Sequence, residues 1–70
     1  MWTKGTLNGY DYCIKHYEES SHYGIDEGRI SKMSIRKNGK ELYNYDRGLE
    51  FDNLDAGGKK VYGELLKQYN

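Results

Sequence analysis

RISKMSIRKNGKELYNYDR, residues Arg29 to Arg47, is the stretch whose reading decides the fold. At its centre Asn38-Gly39 meets the demand of a type I′ hairpin turn, which needs positive φ at both central residues. Arg29 to Lys37 is therefore expected to pair with Lys40 to Arg47. A two-residue turn sets Ile35 against Leu42 and Arg36 against Glu41. On that register Met33, Ile35 and Leu42 point one way, while Lys32, Ser34, Tyr43 and Tyr45 point the other. Ile30 falls out of phase with Met33 and Ile35, so either the strand is bulged between them or both sheet faces are partly covered.

A second Asn-Gly pair, Asn8-Gly9, marks an earlier hairpin in which Trp2 to Leu7 pairs with Tyr10 to Tyr17. Tyr10, Tyr12 and Ile14 then share one face, and Asp11, Cys13, Lys15 and Tyr17 share the other, with Trp2 near Lys15. From Asn53 onward the period changes. Leu54, Val61, Leu65 and Tyr69, flanked by Tyr62 and Leu66, follow helical spacing, and Asp52, Asn53 or Asp55 can serve as N-cap. Gly57, Gly58 and Gly63 each weaken such a helix by up to about 1 kcal/mol relative to Ala, so it must hold by packing on the sheet. The expected fold class is α+β: a four-stranded antiparallel sheet of two hairpins with one C-terminal helix on one face (ββββα), in one domain spanning residues 1–70.

A chain of 70 residues has a thin core, since a domain near this size buries only about 60% of its unfolded surface. Eight tyrosines stand against one phenylalanine and one tryptophan, so nearly all the aromatic surface carries a hydroxyl and can face protein and water together. Eleven basic and eleven acidic residues balance, which removes the footprint of a general nucleic-acid binder and of an acidic DNA mimic. No stretch approaches the roughly 20 apolar residues that span a bilayer, and no signal-peptide run follows Met1. A soluble cytoplasmic protein without membrane contact is expected. Cys13 is the single cysteine, which excludes an intramolecular disulfide and fits a reducing compartment.

A helix covers only one face of a sheet. The opposite face is solvated, covered by another chain, or binds something. On the expected register that face gathers Trp2, Lys15, Tyr17, Lys32, Tyr43 and Tyr45, either as ordinary cross-strand tyrosine pairs on a wet surface or as an aromatic and basic platform for a partner. Between the hairpins, Glu18 to Gly28 is irregular and carries His22 and Tyr23, candidate contact residues on a loop. Arg47, beside Tyr45 and Asp46, has the composition of an interface hot spot as well as of a structural ion pair. Catalytic constellations are weak. Cys13 and His16 lie three apart on a strand and so face opposite ways, His22 adds no fourth ligand for zinc, and Gly57-Gly58 lacks the spacing of a phosphate loop. Neither a metal nor a cofactor is expected, and an inert Cys13 is.

Three runs carry a family resemblance: Gly24-Ile25-x-x-Gly28-Arg29-Ile30-Ser31-Lys32, Ile35-Arg36-x-x-Gly39-Lys40-Glu41, and Asn44-Tyr45-Asp46-Arg47-Gly48. With Trp2 near the start and Tyr69-Asn70 at the close, the chain resembles, almost end to end, a family of very small uncharacterised proteins from phages and mobile elements of Gram-positive Firmicutes. The resemblance implies a phage-type accessory protein inside a bacterial host cell and transfers no catalytic residues. The expected function is a non-enzymatic binding module that binds a host protein, as an inhibitor of a host defence protein such as a CRISPR effector. The alternative is a small nucleic-acid or nucleotide binder in which Tyr43, Tyr45 and Tyr17 stack bases and Lys32, Lys15 and Arg36 neutralise phosphate. Both readings admit a homodimer through a sheet edge or the tyrosine face.

Overall fold

A computed structural model describes all 70 residues. The chain forms strands β1 (Trp2–Leu7), β2 (Tyr10–His16), β3 (Ile30–Lys37), β4 (Lys40–Asp46) and β5 (Leu49–Asp52), followed by helix α1 (Ala56–Tyr69). The strands lie in one sheet in sequence order, each antiparallel to its neighbours. Both Asn-Gly pairs take left-handed backbone, with φ of 52° and 82° at Asn8 and Gly9 and 53° and 78° at Asn38 and Gly39. That geometry matches the twist of the strands they join.

The sheet has five strands rather than the four expected. Leu49–Asp52 forms a short edge strand on β4, reached through a tight turn in which Arg47 is left-handed (φ 55°) and Asp46 N–H donates to the Gly48 carbonyl at 2.9 Å. The alternation Leu-Glu-Phe-Asp fits a half-buried strand, but its nearness to the helix makes it read as a capping segment.

Registers decide which side chains meet the helix. β1 and β2 pair as expected, with Leu7 opposite Tyr10, Thr3 opposite Ile14 and Trp2 opposite Lys15. In the second hairpin Arg36 faces Glu41, but Ile35 then faces Tyr43 and Met33 faces Tyr45. Leu42 is the extra residue of a β-bulge, and one inserted residue sends every later side chain of the strand to the other face. Tyr43 and Tyr45 therefore lie on the helix side, contrary to the expectation of an outward pair. A second bulge at Ser31 lies between Lys32, which faces Lys15, and Ile30, which faces His16. It resolves the phase problem at Ile30 by turning that side chain into the core.

The core consists of Tyr10, Ile14, Ile25, Ile30, Met33, Ile35, Tyr43, Leu54, Val61 and Leu65. Full burial of one such aliphatic side chain contributes about 1.5–3 kcal/mol. α1 begins at Ala56, and of the three expected N-cap candidates it is Asp55 that takes the role: its carboxylate accepts from Gly58 N–H at 2.7 Å. Leu54 precedes the cap and is buried. Gly57 lies where a β-carbon would stand 2.6 Å from the Tyr10 hydroxyl oxygen, so helix and sheet approach closely only because a side chain is missing there. The same Tyr10 hydroxyl donates to Asp55 at 2.5 Å.

The connection from Tyr17 to Arg29 is anchored. Ile25 is in the core, and the Asn70 side chain accepts from Ile30 N–H at 2.9 Å and donates to the Ile25 carbonyl at 3.0 Å. No helix is long and apolar enough to cross a membrane.

Candidate binding face

The registers that seat Tyr43 and Met33 against the helix also write out the opposite face as rows across the strands. One row runs Lys4, Cys13, Ser34, Asn44, Phe51; a second runs Trp2, Lys15, Lys32, Asp46; a third runs Thr6, Asp11, Arg36, Glu41. No element of the chain packs over these rows. Phe51 was not among the residues expected here; it arrives with β5, and the Leu-Glu-Phe-Asp alternation is the signal that marks it.

Of the expected contact residues, Trp2, Lys15, Tyr17 and Lys32 gather on this face. Trp2 is 55% exposed and Tyr17 46%. The Lys15 ammonium lies 5.7 Å from the Trp2 ring and 5.6 Å from the Tyr17 ring, so one cation bridges two aromatic faces. Lys32 pairs with Asp46 at 3.5 Å.

Tyr43 and Tyr45 do not join them. Tyr43 is 3% exposed, packed 5.1 Å from the Tyr62 ring, and burial pushes its phenol well above the usual value. Tyr45 is half-buried on the helix side, and its hydroxyl donates to the Tyr23 carbonyl at 2.9 Å. Both corrections follow from the Leu42 bulge. They remove two of the three tyrosines that a base-stacking platform would have used. His22 stands exposed in the loop against Glu27, 2.9 Å away, apart from the face.

Tyr23 and Arg47 do come to the face, at one end. Lys15, Tyr17, Ser21, Tyr23, Ser31, Lys32 and Arg47 line a cleft of about 340 Å³ between the Ser31 bulge, the Arg47 turn and the loop after β2. Arg47 N–H donates to the Ser31 carbonyl at 2.9 Å, which ties the turn to the bulge. The Lys15 ammonium at the Tyr17 hydroxyl, helped by Ser31 and Lys32, holds that phenol below its usual value against the opposing effect of partial burial. The cleft is thus locally positive in a molecule of zero net charge. Sequence reasoning missed Ser21 and Ser31, because hydroxyls on a loop and a bulge carry no periodic signal.

Cys13 lies half-buried on the open face and His16 on the helix side, where its ring packs 5.0 Å from Tyr69 and its Nε2 meets the Thr3 hydroxyl at 2.9 Å. No three His, Cys, Asp or Glu side chains gather at one point.

A family model described as "Domain of unknown function (DUF7678)" matches residues 1–70, and the chain belongs to that family. No curated protein and no solved structure matches it.

Proposed function

We propose that this DUF7678 family member is a non-enzymatic binding module whose uncovered sheet face docks an acidic surface of a partner protein. The observation that carries the reading is the uncovered face itself: a five-stranded sheet presenting exposed Trp2 and Tyr17, on which Asp46 and Glu41 pair with Lys32 and Arg36 while Lys15 and Arg47 at one end keep a positive excess. Exposed aromatic and arginine side chains on a rigid scaffold are the composition of interface hot spots, and local positive charge selects an acidic counterpart. The phage and mobile-element setting implied by the family resemblance makes the partner a host protein, with antagonism of a defence protein such as a CRISPR effector as the role.

The test is affinity capture from host lysate with three baits: the native chain, a Trp2→Ala/Lys15→Glu double variant, and Lys60→Ala as a control on the exposed helix surface. The native chain and Lys60→Ala are expected to retain one acidic host protein that the double variant loses. Recovery of nothing by the native chain, together with unchanged defence activity in cells that express it, sinks the reading. Salt-dependent binding of single-stranded oligonucleotide by the same face moves the assignment to nucleic acid instead.

A further inference from the structure

We propose that the cleft between the Ser31 bulge and the Arg47 turn is a receptor for a phosphate monoester, its phosphoryl group held by Lys15, Lys32 and Arg47 and its organic group lying on the Tyr17 and Tyr23 rings. This goes beyond partner docking, since it assigns a small ligand that needs no partner protein.

Four features converge on the site. Lys15 and Lys32 stand directly opposite each other across β2 and β3, an arrangement of like charges that is destabilising and that Asp46 offsets on the Lys32 side alone. Asp46 reaches Lys32 alone, at 3.5 Å, while Lys15 and Arg47 have no carboxylate partner within 4.0 Å. Arg47 occupies a left-handed backbone position, φ 55°, where glycine would be the unstrained choice. What the arginine adds there is a guanidinium at the cleft mouth. Ser31 is buried, 5% exposed, beside the Tyr17 hydroxyl, and its own hydroxyl makes a long 3.4 Å bond to the Lys15 carbonyl. Its single O–H is thus weakly engaged and can turn from that carbonyl to a stronger acceptor at the cleft floor.

The charge and shape of the lining select the ligand class. With Asp46 on Lys32, the three cations leave two positive charges unbalanced; a carboxylate brings one charge and two oxygens to them, whereas a phosphate monoester near neutral pH brings about −1.5 to −2 and three strong acceptors, and it is the better match for a guanidinium fork. Tyr17 and Tyr23, 46% and 65% exposed, offer flat faces to an aromatic group attached to that phosphate.

The experiment is amide and side-chain NMR of the isotopically labelled full chain titrated with inorganic phosphate, adenosine monophosphate and acetate at matched ionic strength. Phosphate and the nucleotide are expected to shift the Ser31, Lys32 and Arg47 amides saturably, with millimolar affinity or better, and the nucleotide to shift the Tyr17 and Tyr23 ring signals as well. Arg47→Gly keeps the left-handed turn and a native amide spectrum, and it should weaken binding about tenfold, the loss of one charged hydrogen-bonding partner. Lys32→Gln should act in the same direction. The assignment is overturned if no saturable shift develops by about 20 mM phosphate, a concentration that nearly fills a millimolar site. It is equally overturned if acetate reproduces the shifts or if Arg47→Gly binds as tightly as the native chain. Nucleotide and phosphate of equal affinity with unmoved tyrosine rings overturn the role of the rings and support the phosphoryl site alone.

Discussion

Gly39 sits at φ +78° with nothing within 4 Å of where a β-carbon would stand. The cost of Gly39→Ala is therefore conformational alone, about 1–2 kcal/mol of folding stability, measurable as a lowered urea midpoint. Gly63 is the opposite case: exposed, inside α1, with open space around it. Gly63→Ala should stabilise the chain by roughly 0.8–1 kcal/mol in the same assay. His16 carries the pH dependence. Burial, with the N-terminal ammonium and Arg29 nearby, holds its imidazole below the ordinary 6.5. The unfolded chain then takes up this proton at a higher pH than the folded one, so the stability it contributes is full above about 6.5 and is lost as pH falls toward the folded value. Urea midpoints measured from about pH 7.5 down to about pH 5 should fall for the native chain, and His16→Gln should flatten that slope.

At the scale of elements, the two hairpins, their turns and the C-terminal helix were legible because Asn-Gly pairs and apolar periodicity are local signals. The Ser31 bulge was legible only as one of two readings, because Ile30 out of phase with Met33 is met equally by a bulge between them and by a sheet covered on both faces. The Leu42 bulge was not legible at all. A two-residue turn propagates one register, Leu42 is a credible core residue on it, and nothing local says that the ladder skips there. The cue lies downstream: Tyr43-Asn44-Tyr45-Asp46 alternates with its polar members suited to water, which places the tyrosines inward. If Leu42 is only the bulged residue, deleting it should restore a regular hairpin with Ile35 still opposite Tyr43. The expected loss is that of a half-buried leucine and of the bond in which Asn53 N–H donates to its carbonyl at 2.7 Å, in total about 1–3 kcal/mol. Near-ultraviolet circular dichroism should retain the signal of the buried Tyr43–Tyr62 pair. Loss of that signal would mean that Leu42 sets the register rather than interrupting it.

For the whole molecule, one helix and an anchored loop cover one side of the sheet while the other side stays open, and the two sides should answer mutation differently. Leu65 is fully buried where α1 meets the sheet, and Leu→Ala at such a site costs about 2–5 kcal/mol. A chain of this size is held by several kcal/mol in all, so Leu65→Ala should leave much of the population unfolded at 25 °C, read as loss of amide dispersion and of helical ellipticity. Trp2→Ala and Lys32→Gln on the open face remove no core contact. Each should move the urea midpoint by less than the equivalent of about 0.5–1 kcal/mol, Trp2→Ala losing the cation contact with Lys15 and Lys32→Gln the exposed pair with Asp46. That the open face existed followed from the count of helices, and the placement on it of Trp2, Lys15 and Tyr17 followed from the first hairpin and that of Lys32 from the second. Its cleft did not, because Ser21, Tyr23, Ser31 and Arg47 meet only through a bulge and a left-handed turn. A large stability loss from Trp2→Ala or Lys32→Gln would show that the face is part of the folding core, and the assignment of these side chains to binding would fail with it.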